Sequence, residues 1–257
     1  MRLVRYEKKN NHLAIITLNR PEKLNAINVE VMSKLCDAWI KYSDDDDAWI
    51  AILTGTGKAF SAGADKSWIE LSARGQSGLD IFQSMISKDP FWSGKLDKPV
   101  LTAVNGLTIG AGLDLVLRSD LRIAGESAWF RQAEVERGNI MIFYDNLPCA
   151  IAAEIISGFT ITAQRAYEVG MINRVVPDNK LMEASIEMAE ELLTRVPLAL
   201  YHALRVLRDM KNASTIVPRH MIDHYTTVLS KELVDTEDWR EATTALFEKR
   251  KPVFKKR

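Results

Sequence analysis

The chain has 257 residues, 47% of them hydrophobic and 26% charged, with 34 Lys and Arg balanced against 34 Asp and Glu. Zero net charge gives no sign of a nucleic-acid footprint, and the apolar content argues against a disordered chain. No apolar run approaches the ~18 residues of a membrane span, and the N-terminal MRLVRYEKKNNHLAI lacks the apolar core of a signal peptide, so a cytoplasmic protein without membrane or nucleic-acid partners is expected.

In chain order, His12 to Leu18, Ala48 to Leu53 and Val100 to Val104 are candidate strands, each ending in a turn signal. Between the first two, Val29 to Tyr42 repeats apolar residues at Val31, Leu35, Ala38 and Trp39, the spacing of one helix face. The acidic run Asp44 to Asp47 reads as a solvated cap or turn. Alternating strands and helices of this length predict an α/β fold. From about Lys180 the pattern turns helical, over Leu181 to Thr194, Leu198 to Met210, Arg219 to Leu233 and Glu237 to Arg250, with Pro197, Pro218 and Pro252 marking the breaks. The division is therefore an α/β body over 1–179 and a helical region over 180–257. That region either serves oligomer formation or covers the core.

Cys36 and Cys149 are far apart and belong to no CxxC, which predicts reduced, packed thiols. His220 and His224 are four apart on a predicted helix, a metal-ligand spacing, but no HExxH accompanies them and no metal is expected.

Two glycine-containing turns follow strands. Gly55 to Asp65 (GTGKAFSAGAD) matches neither a P-loop nor a dinucleotide fingerprint. Asn105 to Asp114 (NGLTIGAGLD) runs into an apolar segment, which puts Gly110, Ala111 and Gly112 at a helix N-terminus. Small residues there let a ligand reach the backbone, and unpaired N–H groups with the helix dipole favour an oxyanion. Taken singly, each loop also reads as a tight turn whose glycines serve packing.

As a pair they carry more. KAFSAGAD followed by KPVLTAVNGLTIGAGLDL resembles the crotonase superfamily, the enoyl-CoA hydratase/isomerase family. The likeness extends through ITLNRPEKLNAIN (Ile16 to Asn28), SDLRIAGESAWFRQAEVERG (Ser119 to Gly138), TAQRAYEVGMINRVVP (Thr162 to Pro177) and the terminal FEKRKPVF. It implies a repeated ββα spiral core followed by a helical C-terminal trimerisation region. It also implies an acyl-CoA thioester substrate, no cofactor beyond that CoA, and a homotrimer or a hexamer built as a dimer of trimers.

By the same resemblance, the backbone N–H groups of Ala64 and Ala111 form an oxyanion hole for the thioester carbonyl. Asp114 and Glu134 align with the two carboxylates that flank an attacking water. On their own, Asp114 reads as a first-turn residue favoured by the dipole and Glu134 as a surface acid. Lys23 and Leu24, Ala62, Ala64, Asp65, Lys66 and Ser67, and Gly110 are expected to line the CoA and pantetheine channel. Lys249 aligns with a lysine that reaches the nucleotide phosphates of a neighbouring subunit, or else is a basic helix end.

The sequence departs from the family in five places, the first being Ala111, where many relatives have Gly. Asp114 replaces a usual Glu, Arg131 a usual small residue and Ala133 a usual Pro. The glycine-rich stretch expected after Gly138 is replaced by Asn139 to Asp145, in which Ile140, Ile142, Phe143 and Tyr144 would wall the acyl pocket. Asp145 is an extra carboxylate without a family counterpart, and Trp92 is either pocket lining or core. The expected activity is hydration of a 2-enoyl-CoA, of a cyclic, branched or dienoyl kind. Its rivals are enoyl- or dienoyl-CoA isomerisation, thioester or C–C hydrolysis on the same scaffold, and a catalytically silent CoA-binding or assembly protein.

Overall fold

The computed structural model describes residues 2–9, 12–73, 78–138, 147–195, 197–213, 235 and 237–250. In chain order the strands are β1 (Val4–Lys8), β2 (Leu13–Leu18), β3 (Ile50–Gly55), β4 (Ala59–Ser61), β5 (Val100–Val104), β6 (Leu107–Ile109), β7 (Leu121–Gly125), β8 (Trp129–Arg131), β9 (Ile161–Thr162) and β10 (Arg174–Val176). The helices are α1 (Val29–Asp44), α2 (Ser67–Ala73), α3 (Gly78–Ile86), α4 (Ala111–Arg118), α5 (Cys149–Ile156), α6 (Ala163–Glu168), α7 (Leu181–Leu193), α8 (Pro197–Ala213) and α9 (Glu237–Glu248).

One sheet has the order β1-β2-β3-β5-β7-β10 and the other β4-β6-β8-β9. β1 with β2 and β8 with β9 are antiparallel, and the remaining pairs are parallel. Three successive units, β3-β4-α2, β5-β6-α4 and β7-β8-α5, each place one strand in each sheet before a helix. This is the repeated ββα core that the resemblance implied.

The central strands are rich in apolar residues and almost wholly buried because both faces of the larger sheet are covered. Ala14, Ile16 and Leu18 of β2 pack into one core with α1, α4, Phe60 and Phe130. Leu13 and Ile15 face the other way, into a second core with Ile52, Leu101 and Ile123, where Leu181 and Ala189 of α7 close the layer. α1 begins at Asn28, whose side chain accepts a hydrogen bond from the Val31 N–H at 2.8 Å, an N-cap in the usual sense. It buries Val31, Leu35, Ala38 and Trp39, the face read from the sequence, together with Met32, Cys36 and Tyr42.

Element ends differ from expectation for local reasons. β2 starts one residue after His12, whose φ of 60° is left-handed. β3 starts at Ile50 because the Ala48 N–H closes a turn onto the Asp45 carbonyl. α9 stops at Glu248, since Lys249 adopts φ 54°. The predicted helix over 219–233 lies outside the described residues.

Sequence reading missed Arg122. This β7 guanidinium is buried and donates to the carbonyls of Val116, Leu117, Ser119 and Met171 at 2.7–3.0 Å. Three of those carbonyls belong to the last turn of α4 or the residue after it, so a cation caps the negative end of that helix. Burial lowers the Arg122 pKa to about 10. α8 docks on the body through Arg208, which pairs with Asp120 at 2.6 Å, and through Tyr201, whose hydroxyl donates to the Trp49 carbonyl at 3.0 Å. Among the described residues no helix is long and apolar enough to cross a membrane.

Candidate active site

β4, β6 and β8 run parallel, and the segments that leave their C-terminal ends converge, the usual place for a ligand in such sheets. Ile109 pairs with Arg131 at the end of the β6–β8 ladder, and the Gly110 N–H donates to the Arg131 carbonyl at 3.0 Å. This register carries the chain from Arg131 through Gln132 and Ala133 to Glu134 beside the start of α4.

Glu134 is buried, at 9% exposure, and is no surface acid. One carboxylate oxygen accepts from the Ala133 N–H at 3.0 Å. The other lies where a side chain on Gly110 would stand, only 2.1 Å from an ideal Cβ there. Gly110 has φ 51° and ψ −116°, a conformation open to glycine. The glycine therefore gives the acid its place, one residue before Ala111.

Ala111 is the first residue of α4, so its N–H belongs to the turn without intrahelical acceptors. Ala64 reaches the same region through a short parallel bridge to Ile27, in which the Ile27 N–H donates to Gly63 O at 2.8 Å and the Asp65 N–H to Ile27 O at 2.9 Å. In such a ladder the bonds to Ile27 come from the residues flanking Ala64, so the Ala64 N–H points away from it. Gly63 closes the gap between the loops, its would-be Cβ standing 3.4 Å from the Ala111 nitrogen. Ala64, Gly110, Ala111 and Glu134 thus share one corner of the molecule.

Asp114 lies one turn into α4 and is fully buried. Its two oxygens accept from the Arg118 Nε at 3.0 and 2.9 Å. Arg118 also donates from Nη1 to the Trp92 carbonyl at 3.1 Å and stands 4.9 Å over the Trp92 ring. Trp92 is core, not exposed lining. It is fixed in turn by buried Asp89, which accepts from the Phe91 and Trp92 N–H groups at 2.8 and 3.0 Å. Desolvation pushes the Asp89 carboxyl up to about 6, and burial likewise raises the neighbouring Cys36 thiol.

The expected CoA loops are in contact with one another, the Ala62 N–H donating to the Leu24 carbonyl at 2.9 Å. Lys23 and Lys66 are exposed, and Leu24 and Ser67 are half-buried. Asp65 is occupied in holding the loop, accepting from the Ser67 N–H at 3.0 Å and pairing with Arg20. Burial alone would raise its pKa, but the Ser67 N–H and Arg20 outweigh that and the carboxyl sits below its ordinary value. Asn25, overlooked in the sequence, is 1% exposed and ties these loops together. Its side chain accepts from the Arg20 N–H and donates to the Thr56 and Ala59 carbonyls, while the Asn25 carbonyl accepts from the Ser61 hydroxyl.

Lys249 is exposed at the end of α9. The same helix packs on the Val135–Arg137 turn that follows Glu134, with Trp239 against Gly138. Cys36 is buried, but Cys149 is exposed in the first turn of α5, which corrects the expectation that both thiols are packed. Ile140, Ile142, Phe143, Tyr144, Asp145, His220 and His224 lie outside the described residues. Among the described residues no group of three potential metal ligands occurs.

Comparison with known proteins accords with this geometry. The family model described as enoyl-CoA hydratase/isomerase matches residues 8–257. The chain is 31% identical to an enoyl-CoA hydratase of Mycobacterium tuberculosis, with 97% of this chain and 96% of that one aligned. It is 30% identical to an (E)-benzylidenesuccinyl-CoA hydratase of Thauera aromatica, over 95% of this chain and 96% of the other. The crystal structure of a carnitinyl-CoA hydratase from Mycobacterium avium superposes with a TM-score of 0.83 at 33% identity, covering 100% of both chains.

Proposed function

Since the chain belongs to the enoyl-CoA hydratase/isomerase family and has a hydratase-type activity on CoA thioesters, we propose that it adds water across the double bond of a 2-enoyl-CoA, with Glu134 as the acid–base group. The observation that carries this reading is the Glu134 carboxylate lying against Gly110, beside the first free N–H of α4.

The N–H groups of Ala64 and Ala111 hold the thioester carbonyl. The water oxygen bonds to Cβ, the Cα=Cβ electron pair moves toward the carbonyl oxygen, and the water's proton passes to Glu134. Collapse of the enolate then takes a proton from Glu134 at Cα. Donors aimed at the developing oxyanion bind it more strongly than the neutral carbonyl, which is why they speed the chemical step. Asp114 is the second carboxylate and orients the water. The reaction needs no group beyond the substrate's CoA, whose path follows Lys23, Leu24, Ala62, Lys66 and Ser67 along the loop shaped by Asp65.

Two tests bear on substrate and assembly. The bulky sequence Ile140, Ile142, Phe143, Tyr144 after the acid favours a compact acyl group, and one relative is named for benzylidenesuccinyl-CoA. Crotonyl-, decenoyl- and cyclohexenecarbonyl-CoA are therefore to be compared, with products identified by the mass of one added water. A kcat/KM about tenfold or more higher for the compact or cyclic thioester than for decenoyl-CoA is expected, since apolar pockets discriminate at roughly 1–3 kcal/mol per methylene. Preference for decenoyl-CoA would remove the walled pocket, and no hydration of any of them would remove the activity proposed.

The division into a catalytic body (1–179) and an oligomerising helical region (180–257) goes with a trimer or a dimer of trimers, in which Lys249 meets the CoA phosphates of a neighbour. Light scattering at micromolar concentration should give that mass, and a monomer would sink both the assembly and the role of Lys249 in a neighbour's site. A cytoplasmic location goes with the two unpaired thiols, Cys36 and Cys149.

A further inference from the structure

Resting on that reading of Asp114 and Glu134, we infer that Arg118 is a positioning residue that keeps Asp114 a fixed carboxylate, so that Asp114 orients water and leaves proton transfer to Glu134. The pair sits at i and i+4 on α4, so the helix itself sets its geometry. The Asp114 side chain is 1% exposed and the Arg118 side chain 11%. Arg118 is held from three directions, by the two oxygens of Asp114, by the Trp92 carbonyl and by the face of the Trp92 ring. The backbone N–H groups of Phe91 and Trp92 are anchored on Asp89, so this cradle belongs to the core and not to a mobile loop.

A guanidinium has donors only and does not give up its proton in a protein. A proton arriving on Asp114 would remove the attraction of this ion pair while the cation stays largely buried, at a cost that grows with burial. Glu134, the acid–base group of the proposed reaction, accepts from the Ala133 N–H and lies against Gly110. On this inference the two acids divide the work, Asp114 holding its charge and Glu134 exchanging a proton.

The test is a double-mutant cycle read on the fastest of the three thioesters named above. Arg118→Met should lower kcat about tenfold or more with KM within about twofold, the signature of an interaction used after binding. Arg118→Lys, which keeps the charge and the stem, should recover most of that loss, and it also serves if the Met variant does not fold. In an Asp114→Asn background Arg118→Met should cost no more than about twofold, because residues acting as one unit do not add. Additive losses, or full kcat in Arg118→Met, would overturn the inference. The outcome is separable from the underlying assignment. Wild-type turnover in Glu134→Gln, or no turnover of any thioester by the unaltered enzyme, removes the proposed chemistry and this role with it, whereas additivity alongside an inactive Glu134→Gln removes only the role of Arg118.

Discussion

Glu134→Gln should lower kcat by about 10²-fold or more while KM changes by no more than about twofold. The substitution is close to isosteric, and the amide oxygen can still accept the Ala133 N–H that now holds the carboxylate. The fold and the approach to Gly110 are then preserved, while the capacity to take a proton from water and return one to Cα is lost. Binding of the CoA rests on other loops, so its contribution to KM should stay. Steady-state kinetics with the best enoyl-CoA decides the matter. A large rise in KM at constant kcat would make Glu134 a binding residue, and unchanged values for both would remove it from the chemistry. Asp114→Asn should also reduce kcat, since a neutral amide orients water less well beside Arg118.

Much of this site was legible in the sequence, and the illegible part has a common physical origin. The helix after Gly110 announced itself by glycines leading into LDLVL, and α4 begins at Ala111. The apolar-rich runs over His12 to Leu18, Ala48 to Leu53 and Val100 to Val104 announced strands, and β2, β3 and β5 form there. What no local pattern reveals is register. Nothing around Arg131 says that it pairs with Ile109, yet this pairing brings Glu134 to Gly110. Viewed alone, Glu134 reads as a surface acid because its neighbours Val135 and Glu136 are indeed exposed.

Arg118 is a different case. The acid–base spacing of four on a predicted helix was present in the sequence, but its partner Trp92 comes from a distant segment, and burial of both charges depends on that segment. Asn25 and Arg122 share this character. Each is a single polar residue whose several hydrogen bonds gather carbonyls from separate elements, and a polar residue amid apolar neighbours was the one available signal.

Gly110→Ala should cost both turnover and stability, and the two losses have separate causes. The added Cβ would meet the Glu134 oxygen at 2.1 Å, far inside contact distance, so the carboxylate must move by about an ångström or more. A displacement of that size at an acid–base group costs on the order of 10² in rate. The positive φ of 51° adds backbone strain of about 1–3 kcal/mol for a residue with a side chain. Gly170→Ala supplies the control. Gly170 has φ 74° with nothing within 4 Å of its would-be Cβ, so it incurs backbone strain without touching the site. Both variants should unfold at lower denaturant concentration than the parent, and only Gly110→Ala should lose kcat. Equal kcat in the two variants, measured where each remains folded, would mean that the closeness of Gly110 and Glu134 serves packing and that the acid is not held there for catalysis.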